Sequence, residues 1–467
     1  MTLPVDPTQP PPNGSTTPRP RHGGAARASG ESVQADGEAA QILADSVQIP
    51  HDQAQIPNKS SKVSPHAVAI PGESAEIPRH LAAIPSESAG VSRDPAPDPG
   101  GPVLSMAAPT LFFAGQPGEN FGWGICNQHL LDELSRRRPV VPLNDSDSRW
   151  NSTSLPGDLF TPLMDQDFEP ATPARGRRNF AYTFFENELT ERSVENARRF
   201  DLIFAGCSWC CQRMEERGIH NHVKLIQGVD AALFQPATAP PVAPWKDRFV
   251  LFSGGKFEIR KGQDLVLKAF QMLAPKYRDM WLINAWFNPW PGSVETMAAS
   301  PHIECSSGVG SWEDQMRRLY VANRLPVDHI ITLPLLAHEE MVQVYAMSHV
   351  GVFPNRCEGG TNLVLMEYMA CGKPAIASFT SGHCDVVNTE TTLLLRTLRP
   401  FNLMNPEGQT IARWEEPALD ELVAQIEYAY HHREAVQALG GRGREFIRQF
   451  TWPRTAETLL ATIDAVA

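Results

Sequence analysis

The chain has 467 residues, which is enough for two domains and an additional segment. Its 41 basic and 53 acidic side chains give a net charge of −12, which argues against a general nucleic-acid or anionic-membrane surface. Because no run of about 18 apolar residues occurs, we expect no membrane span, and peripheral association with a membrane stays open.

Residues 1–107 differ in composition from the rest of the chain. They are rich in Pro, Ser, Gly and Ala, and the first aromatic residue of the chain is Phe112. Such a segment buries too little apolar surface to offset its chain entropy, so we predict a disordered tail. It also lacks a basic stretch followed by an apolar core, so we expect no secretory signal and a cytoplasmic protein.

The tail contains a seven-residue repeat of Ile or Val, and in most repeats a Pro follows. The repeated positions are Ile42, Ile49, Ile56, Val63, Ile70, Ile77, Ile84 and Val91. Proline in most repeats forbids a continuous coiled coil. A docking role for these units and no role at all are both open.

A predicted strand, a Gly-rich loop and a helix open the segment 108–236. This order is typical of a doubly wound α/β domain, in which the loop faces the ligand cleft. Gly122 and Gly124 lie in the loop and are candidate cleft residues, although a purely geometric role is equally open. Asp145 and Asp147 form an Asp-x-Asp sequence, but turn residues surround them, so we predict a solvated turn and no metal site.

Two acidic residues follow the predicted strand 179–185. Ligands bind beyond the carboxyl ends of parallel strands, so Glu186 or Glu188 is placed to orient the hydroxyl groups of an acceptor. The alternative is an acidic helix start that interacts with the helix dipole. Residues 237–247 are rich in Pro and form a predicted semi-rigid linker.

An apolar strand at 249–252 runs into a loop that contains Gly255, Lys256 and Lys261. Taken alone, a Lys-rich loop is usually a solvated surface, but its place after a buried strand favours an anion site. We predict an irregular insertion at 286–323, and a helix that begins at Pro417.

A second apolar strand, 350–353, runs into a Gly-rich turn and a helix that starts at about Asn362. Gly359 and Gly360 have no Cβ, so a ligand can approach their backbone closely. The free N–H groups of the helix start, including that of Thr361, and the helix dipole form an anion site suited to a diphosphate.

Glu358 and Glu367 bracket this turn. Because phosphate repels carboxylates, the two glutamates should accept hydrogen bonds from the sugar hydroxyls at the two ends of a pyrophosphate. A ligand of that kind is a nucleotide sugar. The simpler alternative is an N-capping Glu and an exposed helical Glu.

Three stretches together resemble the retaining GT-B glycosyltransferases of family 4, also called glycosyl transferases group 1. The segment from Glu358 to Glu367 is similar to the two-Glu signature of the family, with eight intervening residues where seven are usual. Residues 249–270 resemble its strand, basic loop and helix, with Lys256 in place of the usual Arg and Lys261 in the Lys position. Residues 201–236 resemble the end of its first domain.

The resemblance implies an α/β GT-B fold with two Rossmann-like, doubly wound domains that face each other across a cleft. The implied organisation is an acceptor domain at 108–236, the linker at 237–247, a nucleotide-sugar-binding domain at 248–450, and a C-terminal helix at 451–467 that crosses back to the first domain.

The activity implied by the resemblance is a retaining, metal-independent transfer of a sugar from a UDP- or GDP-linked donor, without a cofactor. The acceptor would be a hydroxyl of a glycan, a lipid-linked molecule, a protein or a small molecule. Glu358, Lys261 and Lys256 would be catalytic. The implied donor-binding residues are Gly255, Lys256, Lys261, Glu358, Gly359, Gly360, Thr361, Asn362 and Glu367.

Two other functions stay open at this point: a GT-B-shaped sugar-nucleotide epimerase, and a nucleotide-binding or scaffold protein with a degenerate site. Cys207 and Cys210 form a CxxC sequence, which raises metal or redox chemistry. Since no second CxxC or close His pair completes a zinc site, we expect reduced and mostly buried thiols.

Overall fold

A computed structural model of the chain describes residues 109–118, 121–143, 154–237, 247–305 and 310–466. The predicted tail, the Asp-x-Asp sequence and all but the ends of the predicted linker lie outside the described residues. All of the described residues belong to one compact unit of the chain.

The first domain, up to residue 237, forms a six-stranded parallel sheet in the order β2-β1-β3-β4-β5-β6. The strands are β1 (Leu111–Phe113), β2 (Val140–Pro142), β3 (Asp158–Leu163), β4 (Asn179–Thr183), β5 (Leu202–Ala205) and β6 (His222–Lys224). The central strands β1, β3, β4 and β5 are almost entirely buried, as expected for a parallel sheet covered by helices on both faces.

The second domain, from residue 247, forms another six-stranded parallel sheet, in the order β12-β11-β10-β7-β8-β9. Its strands are β7 (Phe249–Lys256), β8 (Met280–Phe287), β9 (Ile330–Thr332), β10 (Val350–Phe353), β11 (Ala375–Ser378) and β12 (Leu393–Leu395). The strand order reverses between β7 and β10. Ligands of open α/β sheets bind beyond the carboxyl ends of strands at such a switch point, so the loops after β7 and β10 are well placed for a site.

The described helices cover the faces of both sheets. They are α1 (Gly122–Ser135), α2 (Glu191–Ala197), α3 (Ser208–Glu216), α4 (Gln263–Leu273), α5 (Pro291–Glu295), α6 (Trp312–Ala322), α7 (Met341–Met347), α8 (Leu363–Ala370), α9 (Leu419–His431), α10 (Arg433–Ile447) and α11 (Trp452–Ala465). In α4, for example, Leu265, Phe270 and Leu273 are buried in the core of the second sheet. Burial of each such side chain contributes about 1.5–3 kcal/mol. Of the helices in the described ranges, none combines the length and the apolar composition needed to cross a bilayer.

The last helix packs on the first domain. Ala456, Leu459 and Ile463 of α11 join the core of the first sheet together with Leu111 of β1 and Leu130 of α1. The preceding helix, α10, packs on the second domain. The chain therefore crosses from the second domain to the first between α10 and α11.

Two further strands form an antiparallel hairpin between β12 and α9, and the sequence analysis assigned no element to them. They are β13 (Leu398–Met404) and β14 (Thr410–Pro417). Gly408 closes the turn with a φ of +77°, a value at which glycine avoids the strain of a Cβ. The available signals in the sequence were the Asn-Pro-Glu-Gly turn at 405–408 and the alternation of the apolar Ala412 and Trp414 with charged residues.

Three predicted elements were wrong in extent. The insertion at 286–323 is not irregular, because it contains α5 and α6. The helix predicted from Pro417 begins at Leu419, since Pro417 is the last residue of β14. The strand predicted at 179–185 ends at Thr183, after which the chain leaves the sheet.

Candidate functional site

The loop after β7 lies directly against the turn after β10. Gly255 turns the chain at the end of β7 with a φ of +112°, and a short 3-10 turn, Ile259–Lys261, leads into α4. Gly262 ends this turn with a φ of +70°, and a Cβ at this position would lie 2.2 Å from the carbonyl oxygen of Pro354. Only glycine fits there, so the two loops can touch.

The turn after β10 ends at Asn362, which caps α8. Asn362 has a φ of +62°, a conformation that Asn tolerates better than most residues, and its Oδ1 accepts a hydrogen bond from the N–H of Leu365 at 3.4 Å. The helix therefore starts where the sequence predicted. The amide of Asn362 also contacts Nε2 of His383 at 3.2 Å. Burial lowers the pKa of His383 to about 4, so this ring is neutral near neutral pH.

Six charged side chains converge where the two loops meet, and we call them the charge cluster. They are Lys256, Arg260, Lys261, Glu186, Glu258 and Glu358. At its centre, Nζ of Lys261 lies 2.6 Å from Oε1 of Glu358, and Nη1 of Arg260 lies 3.0 Å from Oε2 of the same carboxylate. The structure thus brings together two predicted residues, Lys261 and Glu358.

Arg260 links the remaining members of the charge cluster, and the sequence analysis did not select it. Its Nη2 lies 2.6 Å from Oε1 of Glu258, and its Nη1 lies 3.2 Å from Oε1 of Glu186. Glu186 belongs to the first domain, so Arg260 connects the two domains. The available signal was its position next to Lys261 in the same basic loop.

Two carboxylates of the charge cluster, those of Glu358 and Glu258, are ionised. Burial opposes the ionisation of Glu358, but the charges of Lys261 and Arg260 outweigh it and lower the pKa of Glu358 to about 2. Burial likewise opposes the ionisation of Glu258, and the charges of Arg260 and Lys256 lower its pKa to about 2. These side chains therefore form ion pairs, not neutral hydrogen bonds.

Lys256 is the most accessible cation of the charge cluster. Its side chain is 36% exposed, and Nζ lies 3.4 Å from Oε2 of Glu258 and 5.2 Å from the centre of the Trp290 ring. The ring of Phe121, in the first domain, lies 4.8 Å from that of Trp290, which is itself 45% exposed. Aromatic side chains from both domains thus border the open side of the cluster.

The turn that precedes α8 reaches the charge cluster through one backbone N–H group. The N–H of Gly359 donates to Oε1 of Glu186 at 3.3 Å. Within the ranges that the structure describes, the N–H groups of Gly360 and Thr361 have no hydrogen-bond partner. These two amides are therefore the available donors of the predicted anion site.

The prediction that Gly359 leaves room for a ligand was wrong. A Cβ on Gly359 would lie 2.4 Å from the carbonyl oxygen and 2.6 Å from the nitrogen of Phe185, so the glycine admits the backbone of the first domain. A Cβ on Gly360 would lie 3.0 Å from Oε1 of Gln227 and 3.3 Å from the ring of Phe184. The turn is accordingly buried between the two domains.

Two buried thiols of the first domain donate hydrogen bonds to the carbonyl oxygen of Gly359. Sγ of Cys207 lies 3.0 Å and Sγ of Cys210 lies 3.1 Å from that oxygen. Burial raises the pKa of the Cys210 thiol well above its ordinary value, so it stays protonated and donates. No group of three or more metal-ligating side chains occurs among the residues that the structure describes.

Glu367 lies on α8 with protein partners on both carboxylate oxygens. Nε2 of His338 is 2.7 Å from Oε1, and the hydroxyl of Tyr345 donates to Oε2 at 3.1 Å. Each carboxylate oxygen can accept two hydrogen bonds, so capacity for sugar hydroxyls remains. Binding of ribose by Glu367 stays a prediction.

The pair of His338 and Glu367 leads to a pH-dependent prediction. Burial would lower the pKa of His338, but the hydrogen bond and charge of Glu367 raise it overall above its ordinary value. Such a group stabilises the fold fully below its unfolded pKa of about 6.5, and this contribution is lost as the pH rises through the folded pKa. We therefore expect Glu367→Gln to lower Tm more at about pH 5.5 than at about pH 8.5.

The expected extra loss at low pH is several degrees, because a hydrogen bond to a charged group contributes about 1.5–3 kcal/mol, and each kcal/mol shifts Tm by about 2–4 °C in a domain of about 200 residues, such as the second domain. Differential scanning fluorimetry of both proteins at both pH values measures it. Glu445→Gln is the control, since Glu445 pairs on the surface with arginines. Equal losses at both pH values would contradict the role of His338.

Gly122 and Gly124, the two glycines predicted to lie at the cleft, differ in the space around them. A Cβ on Gly124 would lie 2.8 Å from Cα of Gly118, whose N–H donates to the carbonyl of Gly124 at 3.1 Å. Gly124 is therefore needed for the geometry of the loop. A Cβ on Gly122 would meet no atom within 4 Å, so this exposed position at the start of α1 is open to a ligand.

Glu188 does not join Glu186 in the charge cluster. Its Oε2 lies 2.6 Å from Nη1 of Arg413, and its N–H donates to the carbonyl of Ile411 at 2.9 Å. Both partners belong to β14. Of the two acidic residues predicted after β4, only Glu186 faces the charged loops.

Comparison with known proteins finds a family model that covers most of this site. Residues 234–396, which include every charge-cluster residue of the second domain, match the family model described as glycosyl transferases group 1. A GDP-mannose-dependent monoacylated alpha-(1-6)-phosphatidylinositol monomannoside mannosyltransferase from Corynebacterium glutamicum is 23% identical over 249 residues. That alignment covers 50% of this chain and 54% of the relative, so the chain spans about half the length of this curated relative.

Solved structures show the same architecture. Sucrose-phosphate synthase from Thermosynechococcus elongatus aligns with a TM-score of 0.52 at 15% identity, over 77% of this chain and 100% of that chain. Anabaena Alr3699/HepE in complex with UDP-glucose aligns with a TM-score of 0.52 at 14% identity, over 76% of this chain and 100% of that chain. The two parallel sheets and these neighbours confirm the predicted GT-B fold. Residues 234–396 of the chain thus match glycosyl transferases group 1, and the two sheets of the described residues form a GT-B fold.

Proposed function

We propose that the chain transfers a sugar from a nucleoside diphosphate sugar to an acceptor hydroxyl, with retention at the anomeric carbon and without a metal ion. The observation that carries the proposal is the charge cluster beside the start of α8, of which all members but Glu186 lie in the matched residues 234–396. Departure of the diphosphate concentrates negative charge, and fixed positive groups stabilise that charge in the transition state. Retention rests on the resemblance to family 4.

The diphosphate would contact Lys256, Lys261 and the N–H groups of Gly360 and Thr361. Lys256 ends β7, Lys261 lies in the loop after it, and the two amides belong to the turn after β10, so the diphosphate would lie at the switch point of the second sheet. The combined field of the lysines and the helix dipole is our reason for proposing a metal-independent reaction.

The uncharged parts of the substrates would meet carboxylates. Glu358 would accept hydrogen bonds from hydroxyls of the donor sugar, and Glu367 from those of the ribose. On the first domain, Glu186 would orient the acceptor hydroxyl, with Gly122 at the loop that approaches it. UDP- and GDP-linked donors both deserve testing, since the mannosyltransferase relative depends on GDP-mannose and the HepE structure holds UDP-glucose.

One observation favours testing a second function. The three cations of the charge cluster are each paired with a carboxylate, so a diphosphate would compete with these carboxylates for them. A protein in which these pairs never separate would be a scaffold with a degenerate site. Calorimetry with UDP and GDP distinguishes the two, because such a scaffold should bind neither nucleotide.

The deciding experiment is a screen of UDP- and GDP-linked sugars, with released nucleotide as the readout. We expect release from at least one donor, an increase of release with a sugar acceptor, and unchanged release after addition of EDTA. NMR of the product would give its anomeric configuration. Conversion of the donor sugar without any acceptor would indicate an epimerase, and inversion at the anomeric carbon would contradict retention.

A further inference from the structure

The β13–β14 hairpin is fixed to the second domain by a buried ion pair. Nη2 of Arg356, in the turn after β10, lies 2.6 Å from Oε2 of Glu416 and 2.7 Å from Oδ2 of Asp264 on α4. Arg356 is 0% exposed, and its guanidinium lies 4.5 Å from the ring of Phe401. The hairpin is therefore anchored to the same two loops that carry the charge cluster.

The opposite side of the hairpin contacts the first domain at three points. The indole N–H of Trp414 donates to the carbonyl of Glu186 at 2.7 Å. The carbonyl of Ile411 accepts from the N–H of Glu188 at 2.9 Å, and Arg413 pairs with the Glu188 carboxylate at 2.6 Å. The segment 186–188 thus runs along β14 with its backbone held at both ends.

We propose that the hairpin positions the acceptor-facing segment 186–188, and that Trp414 is the positioning residue. This inference rests on the proposed function, because it assigns to Glu186 a task in acceptor binding. The indole N–H of Trp414 donates a hydrogen bond to the backbone carbonyl of Glu186. The carboxylate of Glu186 faces Arg260 and the N–H of Gly359. Fixing the carbonyl limits the positions that the carboxylate can reach.

The geometry of Trp414 suits this task. The side chain is only 6% exposed and stacks on Phe401 with ring centres 6.2 Å apart and an angle of 6° between the planes. A buried indole N–H that lost its acceptor would remain unsatisfied, which is costly. The hydrogen bond to Glu186 is therefore favoured whenever the two domains are in contact.

The test compares Trp414→Phe with Trp312→Phe. Each variant removes one indole N–H that donates to a backbone carbonyl at 2.7 Å, but Trp312 donates to Trp286 within the second domain. Two readouts are needed: hydrogen exchange of the Glu188 amide, measured by mass spectrometry, and the kinetic constants for the acceptor and the donor identified in the screen.

We expect Trp414→Phe to accelerate exchange at Glu188 about fivefold and to lower kcat/KM for the acceptor about fivefold, with little change in the donor KM. Trp312→Phe should leave the exchange and the acceptor constants unchanged. Unaltered exchange in Trp414→Phe, or faster exchange with unaltered acceptor kinetics, would overturn the inference. If the wild-type protein releases nucleotide from no donor, the proposed function fails, and faster exchange would still support the holding of segment 186–188 by the hairpin.

Discussion

Replacing Lys261 with alanine is expected to lower kcat/KM for the donor by about 10²–10³, the usual cost of removing one donor that stabilises developing negative charge. Lys261 lies inside the charge cluster, 2.6 Å from Glu358, at the switch point of the second sheet. The fold should persist, because Arg260 and Asn355 still contact Glu358. Initial rates of nucleotide release at varied donor concentration measure the effect.

Lys268→Ala is the matched control for this prediction. Lys268 lies on α4 of the same domain, and its ammonium donates to Gln271 away from the charge cluster. The control should retain wild-type kcat/KM, and both variants should melt near the wild-type temperature. A Lys261→Ala protein with full activity would show that the charge cluster does not stabilise the leaving diphosphate.

The second large effect concerns stability. Arg356→Met is expected to lower the free energy of unfolding by about 3–5 kcal/mol, the typical cost of removing one partner from a buried ion pair. The change leaves Asp264 and Glu416 without the cation that both contact. Burial alone would lower the pKa of Arg356, but these two carboxylates raise it overall, so the guanidinium is charged in the fold.

Arg448→Met is the control, because Arg448 is 60% exposed and pairs with Glu445 on the surface. Exposed pairs of this kind contribute about 0–1 kcal/mol, so the control should unfold close to the wild-type protein. Urea unfolding followed by circular dichroism measures both variants. A loss below about 1 kcal/mol for Arg356→Met would mean that the second domain does not depend on this pair.

The predictable part of the site is the part that local sequence determines. At both β7 and β10, an apolar strand, a loop with glycines and a helix follow one another within about 20 residues. The order of these elements could therefore be predicted from the sequence. The start of α8 at Asn362 was predicted for the same reason. Lys261 and Glu358 were selected separately, and the fold brings them together because β7 and β10 are neighbours.

The unpredicted part depends on contacts between residues distant in sequence. Arg260 is one of two adjacent basic residues, and its contacts with Glu358 and with Glu186 of the first domain distinguish it from a surface arginine. The burial of Gly359 under Phe185 depends likewise on how the two domains meet. The β13–β14 hairpin was not predicted, because Pro400 lies within β13 and a proline inside such a run argues against a strand.

Phe184 and Phe185 of the first domain cover the turn that contains Gly359 and Gly360, and this limits when a substrate can reach the start of α8. A molecule held against these amides is enclosed by both domains, so it arrives and departs only while they are apart. Bulk water is excluded for as long as the enclosure lasts, which protects an activated sugar from hydrolysis. The frequency of domain separation is then the upper limit on the number of cycles per second.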